Sequence, residues 1–164
     1  IEKVETGSGD DVIFGSNAGD TIRTGSGDDI VYALDGHDIV YGEGGADTIF
    51  GYDGNELIYG GSGGDTISGG NDADTLYGES GNDAMSGDSG NDMMLGGDGN
   101  DRLRGGDGLD TINGGNGADV IVWQAGDSGA DIIAGFNLNE DKFSFGSGFF
   151  EQDVAGSVDF DDIQ

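Results

Sequence analysis

The sequence predicts an all-β solenoid: a flattened coil of short parallel strands stacked on one another and closed by a carboxy-terminal capping segment. Three observations predict it. Thirteen consecutive nine-residue units run from Thr6 to Val122 with no residue inserted or lost, and self-similarity at a fixed period marks a repeat architecture. The eighth place of every unit is apolar: Ile13, Ile22, Val31, Val40, Ile49, Ile58, Ile67, Leu76, Met85, Met94, Leu103, Ile112 and Ile121. The sixth place is always a carboxylate: Asp11, Asp20, Asp29, Asp38, Asp47, Glu56, Asp65, Asp74, Asp83, Asp92, Asp101, Asp110 and Asp119.

Within a unit, places one to six, as in Gly60-Gly61-Ser62-Gly63-Gly64-Asp65, hold too much glycine for helix or strand. They suit a tight turn through positive φ. Places seven to nine, as in Thr48-Ile49-Phe50, are β-branched or aromatic and read as a very short strand. Alternation along the strand turns the eighth place inward and the seventh and ninth outward. A unit with one apolar face must stack on its neighbours. A chain that reverses at every turn makes a coil of two units, with one sheet on each side. Odd units then stack on odd units and even on even.

The ends read as caps, giving three parts: a partial repeat over 1–5, the tandem repeats over 6–122 and a flank over 123–164. Glu2 and Val4 stand one unit before Asp11 and Ile13. After Val122 the period breaks, and Asp131-Ile132-Ile133 restores it if three residues are inserted around Gly126-Asp127-Ser128-Gly129. The open end of a strand stack needs cover. Trp123, Phe136, Phe143, Phe145, Phe149 and Phe150 are the residues to supply it.

Composition narrows the chemistry. The 164 residues suffice for one domain, with 37 glycines, no proline and no cysteine. A net charge of −29 excludes nucleic acid and anionic membrane surfaces as partners and points to cations. Without cysteine there is no disulfide scaffold and no thiolate zinc site, and a single histidine removes the usual imidazole sites. Hard oxygen ligands abound, and they suit calcium. No window approaches the roughly 18 apolar residues needed to span a bilayer. No basic-then-apolar leader opens these residues, so any secretion is expected to be directed from elsewhere.

The period converts into two columns of carboxylates. One holds Asp11, Asp29, Asp47, Asp65, Asp83, Asp101 and Asp119; the other holds Asp20, Asp38, Glu56, Asp74, Asp92 and Asp110. Neighbours in a column stand about one inter-strand spacing apart, ~4.8 Å. Anions that close repel, and a divalent cation between each pair removes the conflict. Calcium takes six to eight oxygens, so backbone carbonyls of the turns must complete each site. Seven members leave six gaps and six leave five, making eleven, whose +22 offsets much of the −29. One inward apolar side chain per unit cannot offset the ordering of so glycine-rich a chain. Metal binding and folding are therefore expected to be one equilibrium.

The pattern Gly-Gly-x-Gly-x-Asp-x-apolar-x is fullest in Gly96-Gly97-Asp98-Gly99-Asn100-Asp101-Arg102-Leu103-Arg104 and Gly105-Gly106-Asp107-Gly108-Leu109-Asp110-Thr111-Ile112-Asn113. It resembles the calcium-binding nonapeptide repeat of the RTX (hemolysin-type) proteins, over about three quarters of the chain. The resemblance implies a right-handed parallel β-roll. It also implies export in unfolded form through the type I secretion machinery, and folding on extracellular calcium as a piece of a larger secreted protein, with the flank as nucleus. As ligands it implies the sixth-place carboxylates with the carbonyls of the second and fourth places. The second-place glycines are Gly7, Gly25, Gly61, Gly70, Gly97, Gly106 and Gly115. The fourth places are Gly9, Gly27, Gly36, Gly45, Gly54, Gly63, Asp72, Gly81, Gly90, Gly99, Gly108 and Gly117, and Asp131 joins from the flank. The expected load is roughly eight to twelve calcium ions.

Departures mark where the sites should differ. Glu56 is one methylene longer than its neighbours, which puts its two gaps in question. Ala18 and Asp72 hold fourth places, Thr6, Thr24 and Ala33 first places, and Leu34, Glu43, Tyr52, Glu79 and Asp88 second places. Gly135 stands where the family has Asp before Phe136. More uniform sites are expected between Gly60 and Asp119 than in the first units.

Other functions have less support. Phe14, Tyr32 and Phe50 align at the ninth place on one outer face, and Tyr41, Tyr59 and Tyr77 on the other. They read first as aromatic ladders between paired strands, and alternatively as a strip for sugar or partner docking. His37 sits in a turn without the orienting context of a catalytic triad, and carboxylates tied up in ion-paired ladders leave none free for glycoside hydrolysis, so no enzyme is expected. An ice-binding face is not expected, since the third places contain no Thr.

Overall fold

The computed structural model describes residues 3–146. Ile1, Glu2 and residues 147–164 lie outside it, and with them Glu2 of the partial repeat and the cover expected from Phe149 and Phe150. Sixteen strands, no helix and only parallel pairings make up the described chain. The first five are β1 (Lys3–Glu5), β2 (Val12–Phe14), β3 (Thr21–Arg23), β4 (Ile30–Tyr32) and β5 (Ile39–Tyr41). Then come β6 (Thr48–Asp53), β7 (Leu57–Ser62), β8 (Thr66–Asn71), β9 (Thr75–Ser80), β10 (Ala84–Ser89), β11 (Met93–Asp98), β12 (Arg102–Asp107) and β13 (Thr111–Asn116). The chain closes with β14 (Val120–Trp123), β15 (Ile132–Ala134) and β16 (Lys142–Phe145).

Odd strands form one eight-stranded sheet and even strands the other. From β2 to β14 every partner stands two units away, as in Val12↔Ile30, Ile58↔Leu76 and Leu103↔Ile121. The fold is a parallel β-roll. All thirteen eighth-place side chains face inward, from Ile13 at 5 % exposed to Ile121 at 1 %, and form a single core.

One expectation needs correction. The residue types place strands over places seven to nine only, yet β6 to β13 continue through places one to three of the next unit. The glycine-rich segment is thus partly ladder, not turn: Gly61 pairs with Glu79 and Ser62 with Ser80. Positive φ at the second place, for example 114° at Gly61, bends the strand without breaking its pairing, as at a bulge.

The flank resumes the stack. Strand β15 pairs with β13 (Ile112↔Ile133) at an offset longer than two units by the three-residue insertion that the sequence requires. Strand β16 pairs with β14 (Ile121↔Phe143) after one further inserted residue. Trp123, Phe136 and Phe143 pack on the end of the core, the last two stacked at 4.3 Å. Gly135 sits at φ 68°, and a Cβ there meets Asn113 Oδ1 at 2.8 Å.

Candidate metal centre

The sixth place lies two residues before the eighth and shares its inward face. Twelve carboxylates, Asp20 to Asp119, are therefore buried at 1–2 % exposed, while Asp11 in the first coil is partly exposed. Each column is wired through the backbone. Asp11 N–H donates to Asp29 Oδ1 at 2.7 Å, Asp47 N–H to Asp65 Oδ1 at 2.8 Å, and Asp101 N–H to Asp119 Oδ1 at 2.9 Å. The even column repeats the device, as in Asp74 to Asp92 at 2.9 Å.

Only one oxygen of each carboxylate is used in this way. The other, Oδ2 from Asp29 through Asp119 and Oδ1 of Asp20, is buried without any hydrogen-bond partner. At Glu56 both oxygens lack one. Leaving buried charged oxygens unpaired is costly. None of the ion pairs of the described chain reaches a column: Lys3 pairs with Glu5, Arg23 with Glu43, and Arg104 with Asp88 and Asp127.

Glycine at the first place has a specific cause. Its φ is not positive, but a Cβ on Gly60 meets Asp65 Oδ2 at 2.5 Å and the Gly78 carbonyl oxygen at 2.9 Å. On Gly96 a Cβ meets Asp101 Oδ2 and the Gly114 oxygen closer still. The unpartnered carboxylate oxygen and a carbonyl oxygen of the next coil thus converge on a space only glycine leaves open. Second- and fourth-place carbonyls line the same turns. Those of Gly7 and Gly25 accept N–H groups of Ser26 and Gly44, both at 2.9 Å. The fourth-place oxygens face the fourth place of the following coil: a Cβ on Gly63 collides with the Gly45 oxygen, and one on Gly45 with that of Gly27. Gly9, Gly36, Gly54, Gly81, Gly90, Gly99, Gly108 and Gly117 share the positive φ of the fourth place, and so does Asp72 at 74°. Gly70, Gly97, Gly106, Gly115 and Gly61 have it at the second place.

Burial sets the acidity of the columns. It pushes Asp38, Asp47, Asp65, Asp74 and Asp101 up to about 6 and Asp92 to about 7, against the lowering effect of the N–H each receives. Asp83, Asp110 and Asp119 are raised for the same reason. Glu56 is pushed furthest, to about 9, by burial and then by the neighbouring Asp74 carboxyl.

Departures in the sequence appear as local differences. Asp38 N–H makes no bond to Glu56, so the even column is interrupted there. Ser16 and Ala18 have no positive φ, and Ser16 donates from N–H and Oγ to Asp20 Oδ2 at 2.7 and 2.9 Å. Thr24 is buried, and its hydroxyl donates to the Gly42 oxygen at 2.6 Å. His37 serves a turn, its Nδ1 accepting Asn55 N–H at 2.8 Å.

Both columns run on into the flank. Asp131 Oδ1 accepts Asp110 N–H at 3.1 Å, and its Oδ2 accepts Trp123 Nε1–H at 3.2 Å. Asp141, which the repeat pattern does not place among the site residues, accepts Asp119 N–H at 3.0 Å and Asn137 N–H at 2.7 Å. Its signal was Asp141-Lys142-Phe143, the carboxylate-x-apolar end of a unit, hidden by a shift of period.

Among the described residues no three acidic or histidine side chains converge on one point. A cation in a column must therefore draw the rest of its oxygens from the backbone. Buried unpaired carboxylate oxygens, carbonyls in glycine turns and no competing basic side chain make a donor set that fits a hard divalent ion. No curated protein matches the chain. The model of the RTX calcium-binding nonapeptide repeat matches it four times, over residues 5–40, 32–67, 59–94 and 95–122. With those matches spanning most of its 164 residues, the chain belongs to the family of RTX calcium-binding repeats.

Proposed function

We propose that the two carboxylate columns hold roughly eight to twelve calcium ions between successive coils, and that the chain is disordered until extracellular calcium folds it. The observation that carries this reading is the row of buried carboxylate oxygens without partners. The ligands are the thirteen sixth-place carboxylates with second- and fourth-place turn carbonyls, and Asp131 closes the even column. When bound, calcium supplies positive charge and a shell of six to eight oxygen bonds. The chain's own residues supply the spacing, the burial and the backbone wiring. Residues 1–5 act as a partial repeat, 6–122 as the calcium-binding roll and 123–164 as the cap.

In this reading the module does no chemistry. It serves a larger exported protein, carried by type I secretion as an unfolded chain and folded outside the cell where calcium is plentiful. No helix among the described residues is long and apolar enough to cross a membrane. Far-UV circular dichroism in excess chelator is expected to show a disordered chain. β signal should then appear cooperatively as calcium reaches roughly 10⁻⁴–10⁻³ M, with magnesium a poor substitute. A chain equally β-structured in chelator refutes the reading, as does calorimetry giving only two or three ions.

A further inference from the structure

The aromatic ladders are mostly closed to ligands. Phe14, Tyr32 and Phe50 stack at 4.8 and 5.3 Å with planes 11–12° apart, and Tyr41, Tyr59 and Tyr77 at 5.1 and 4.9 Å. Their ring faces cover one another, and Leu95 on β11 follows Tyr77 on β9 in the same row. The other ladder ends differently. The rung after Phe50 is Ser68, too short to cover a ring, so the far face of Phe50 is left open.

That open face forms one wall of a cavity of about 300 Å³ on the outer side of the even sheet. Tyr52 completes the wall, 45 % exposed, its ring tilted 53° from Phe50 at 6.4 Å. Gly70 on β8 provides the floor, flanked in register by Tyr52 on β6 and Asp88 on β10. The trough is thus two inter-strand spacings across, about 9.6 Å. Asp88 is fixed in the far wall by the hydroxyls of Ser68 at 2.5 Å and Ser86 at 2.7 Å and by the Arg104 guanidinium at 3.6 Å. At the rim Asn71 Nδ2 donates to Asp53 Oδ1 at 2.6 Å.

We propose that this trough binds one neutral pyranose unit of a saccharide, a function beyond calcium binding. The C–H face of the sugar lies against Phe50 and Tyr52, whose ring faces carry negative charge density. Its hydroxyls reach the fixed acceptors Asp88 and Asp53 and the Asn71 amide, few polar groups in a mostly preformed cavity. Asp53 and the −29 charge of the chain repel uronic acids, Asp88 being paired with Arg104.

The test uses the full chain in saturating calcium. Saturation-transfer NMR is run with the methyl pyranosides of glucose, galactose and mannose, each at about 10 mM, above the ~1 mM Kd expected of one shallow subsite, and with glucuronate as the anionic control. At least one neutral pyranoside is expected to show transfer and to move the amide signals of Ser68, Gly70 and Asn71; glucuronate is expected to do neither. Phe50→Ser is the informative variant, because serine is the residue of the next two rungs of the same row, Ser68 and Ser86, and the ninth place supplies no calcium ligand. It is expected to keep its calcium-induced β signal and lose binding at least tenfold, while Tyr41→Ser on the opposite face leaves binding unchanged. Absence of transfer from all three pyranosides, full binding by Phe50→Ser, or equal binding of glucuronate overturns the proposal. A normal calcium response in the same samples leaves the calcium reading standing, so the two fail separately.

Discussion

The coils before Thr48 and those after it are built from one repeating unit, yet β1 to β5 are short and β6 to β13 are twice as long. The second place does not explain this. Tyr52, Glu79 and Asp88 sit at φ 72–81° inside the long strands, and Leu34 and Glu43 at 65–75° outside any strand. The first place separates the two regions. Thr6, Thr24 and Ala33 fall only in the early coils, and every first place from Gly42 onward is glycine. Gly15 and Gly42, the remaining early first places, stack on Ala33 and Thr24. From Gly42 onward the first-place glycines run close to the carboxylate column, whereas Thr24 and Ala33 carry a side chain at that place. The early odd coils still pair at the third place, Ser8 with Ser26, Ser26 with Gly44 and Gly44 with Ser62, so the first place marks where the ladder is interrupted rather than lost.

The largest effect is expected from filling the first place where it runs close to the column. Gly96→Ala drives a methyl group into Asp101 Oδ2 and into the Gly114 carbonyl oxygen, a backbone atom that cannot yield. Overpacking of this kind costs about 1–3 kcal/mol, and the calcium midpoint should rise several-fold. Gly7→Ala, with nothing within 4 Å and no positive φ, should leave the midpoint unchanged. Equal midpoints for the two variants in a dichroism titration refute the first-place argument.

A smaller effect compares the columns directly. Asp83 is buried, has neighbours Asp65 and Asp101, and keeps one oxygen unpartnered. Asp83→Ala should remove about two ions from the calorimetric count, since each column carboxylate serves two gaps. Asp20 already receives two hydrogen bonds from Ser16 in the irregular early turn. Asp20→Ala should therefore cost fewer ions and a smaller shift in midpoint.

Acidity tests both regions together. Burial raises the carboxyls of Asp38 and Asp47 in the early coils, and of Asp65, Asp74, Asp92 and Asp101 in the later ones, to about 6 or 7. Their folded values lie above the unfolded ones, so the metal-free roll binds more protons than the unfolded chain. Its stability therefore falls as pH rises from about 4 through 7. Without calcium, β signal should grow on acidification toward pH 4. With calcium, protons compete for the same oxygens, and the midpoint should climb as pH drops from 7 to 5. A calcium midpoint flat over that range counts against burial as the cause.

The two columns and the core were legible in the sequence because both sit at fixed places of an unbroken period, Asp11 to Asp119 and Ile13 to Ile121. Strand length was not legible: a glycine at positive φ reads as turn, and nothing in Gly60-Gly61-Ser62 says that its amides stay in register with those of Gly78-Glu79-Ser80. Asp141 was missed because insertions in the flank carry it past the two-unit offset that the repeats keep, and only the pairing of β14 with β16 restores the alignment. The reason for first-place glycine was equally hidden, since it is a close approach across space to Asp65 or Asp101 rather than a dihedral requirement.

The smallest effect is expected at the second place, where the two regions should respond alike. Leu34 stands at φ 75°, a conformation that costs an ordinary residue about 1–2 kcal/mol. Leu34→Gly removes that cost but gives back about 0.5–1 kcal/mol through the greater freedom of glycine in the unfolded chain. The net gain should be about 0.5–1 kcal/mol, read as a higher urea midpoint in saturating calcium with an unchanged slope. Glu79→Gly in the later coils, at φ 72°, should gain a similar amount. If Leu34→Gly instead gains several times more than Glu79→Gly, the second place and not the first is what sets the early coils apart, and the comparison must be redrawn around it.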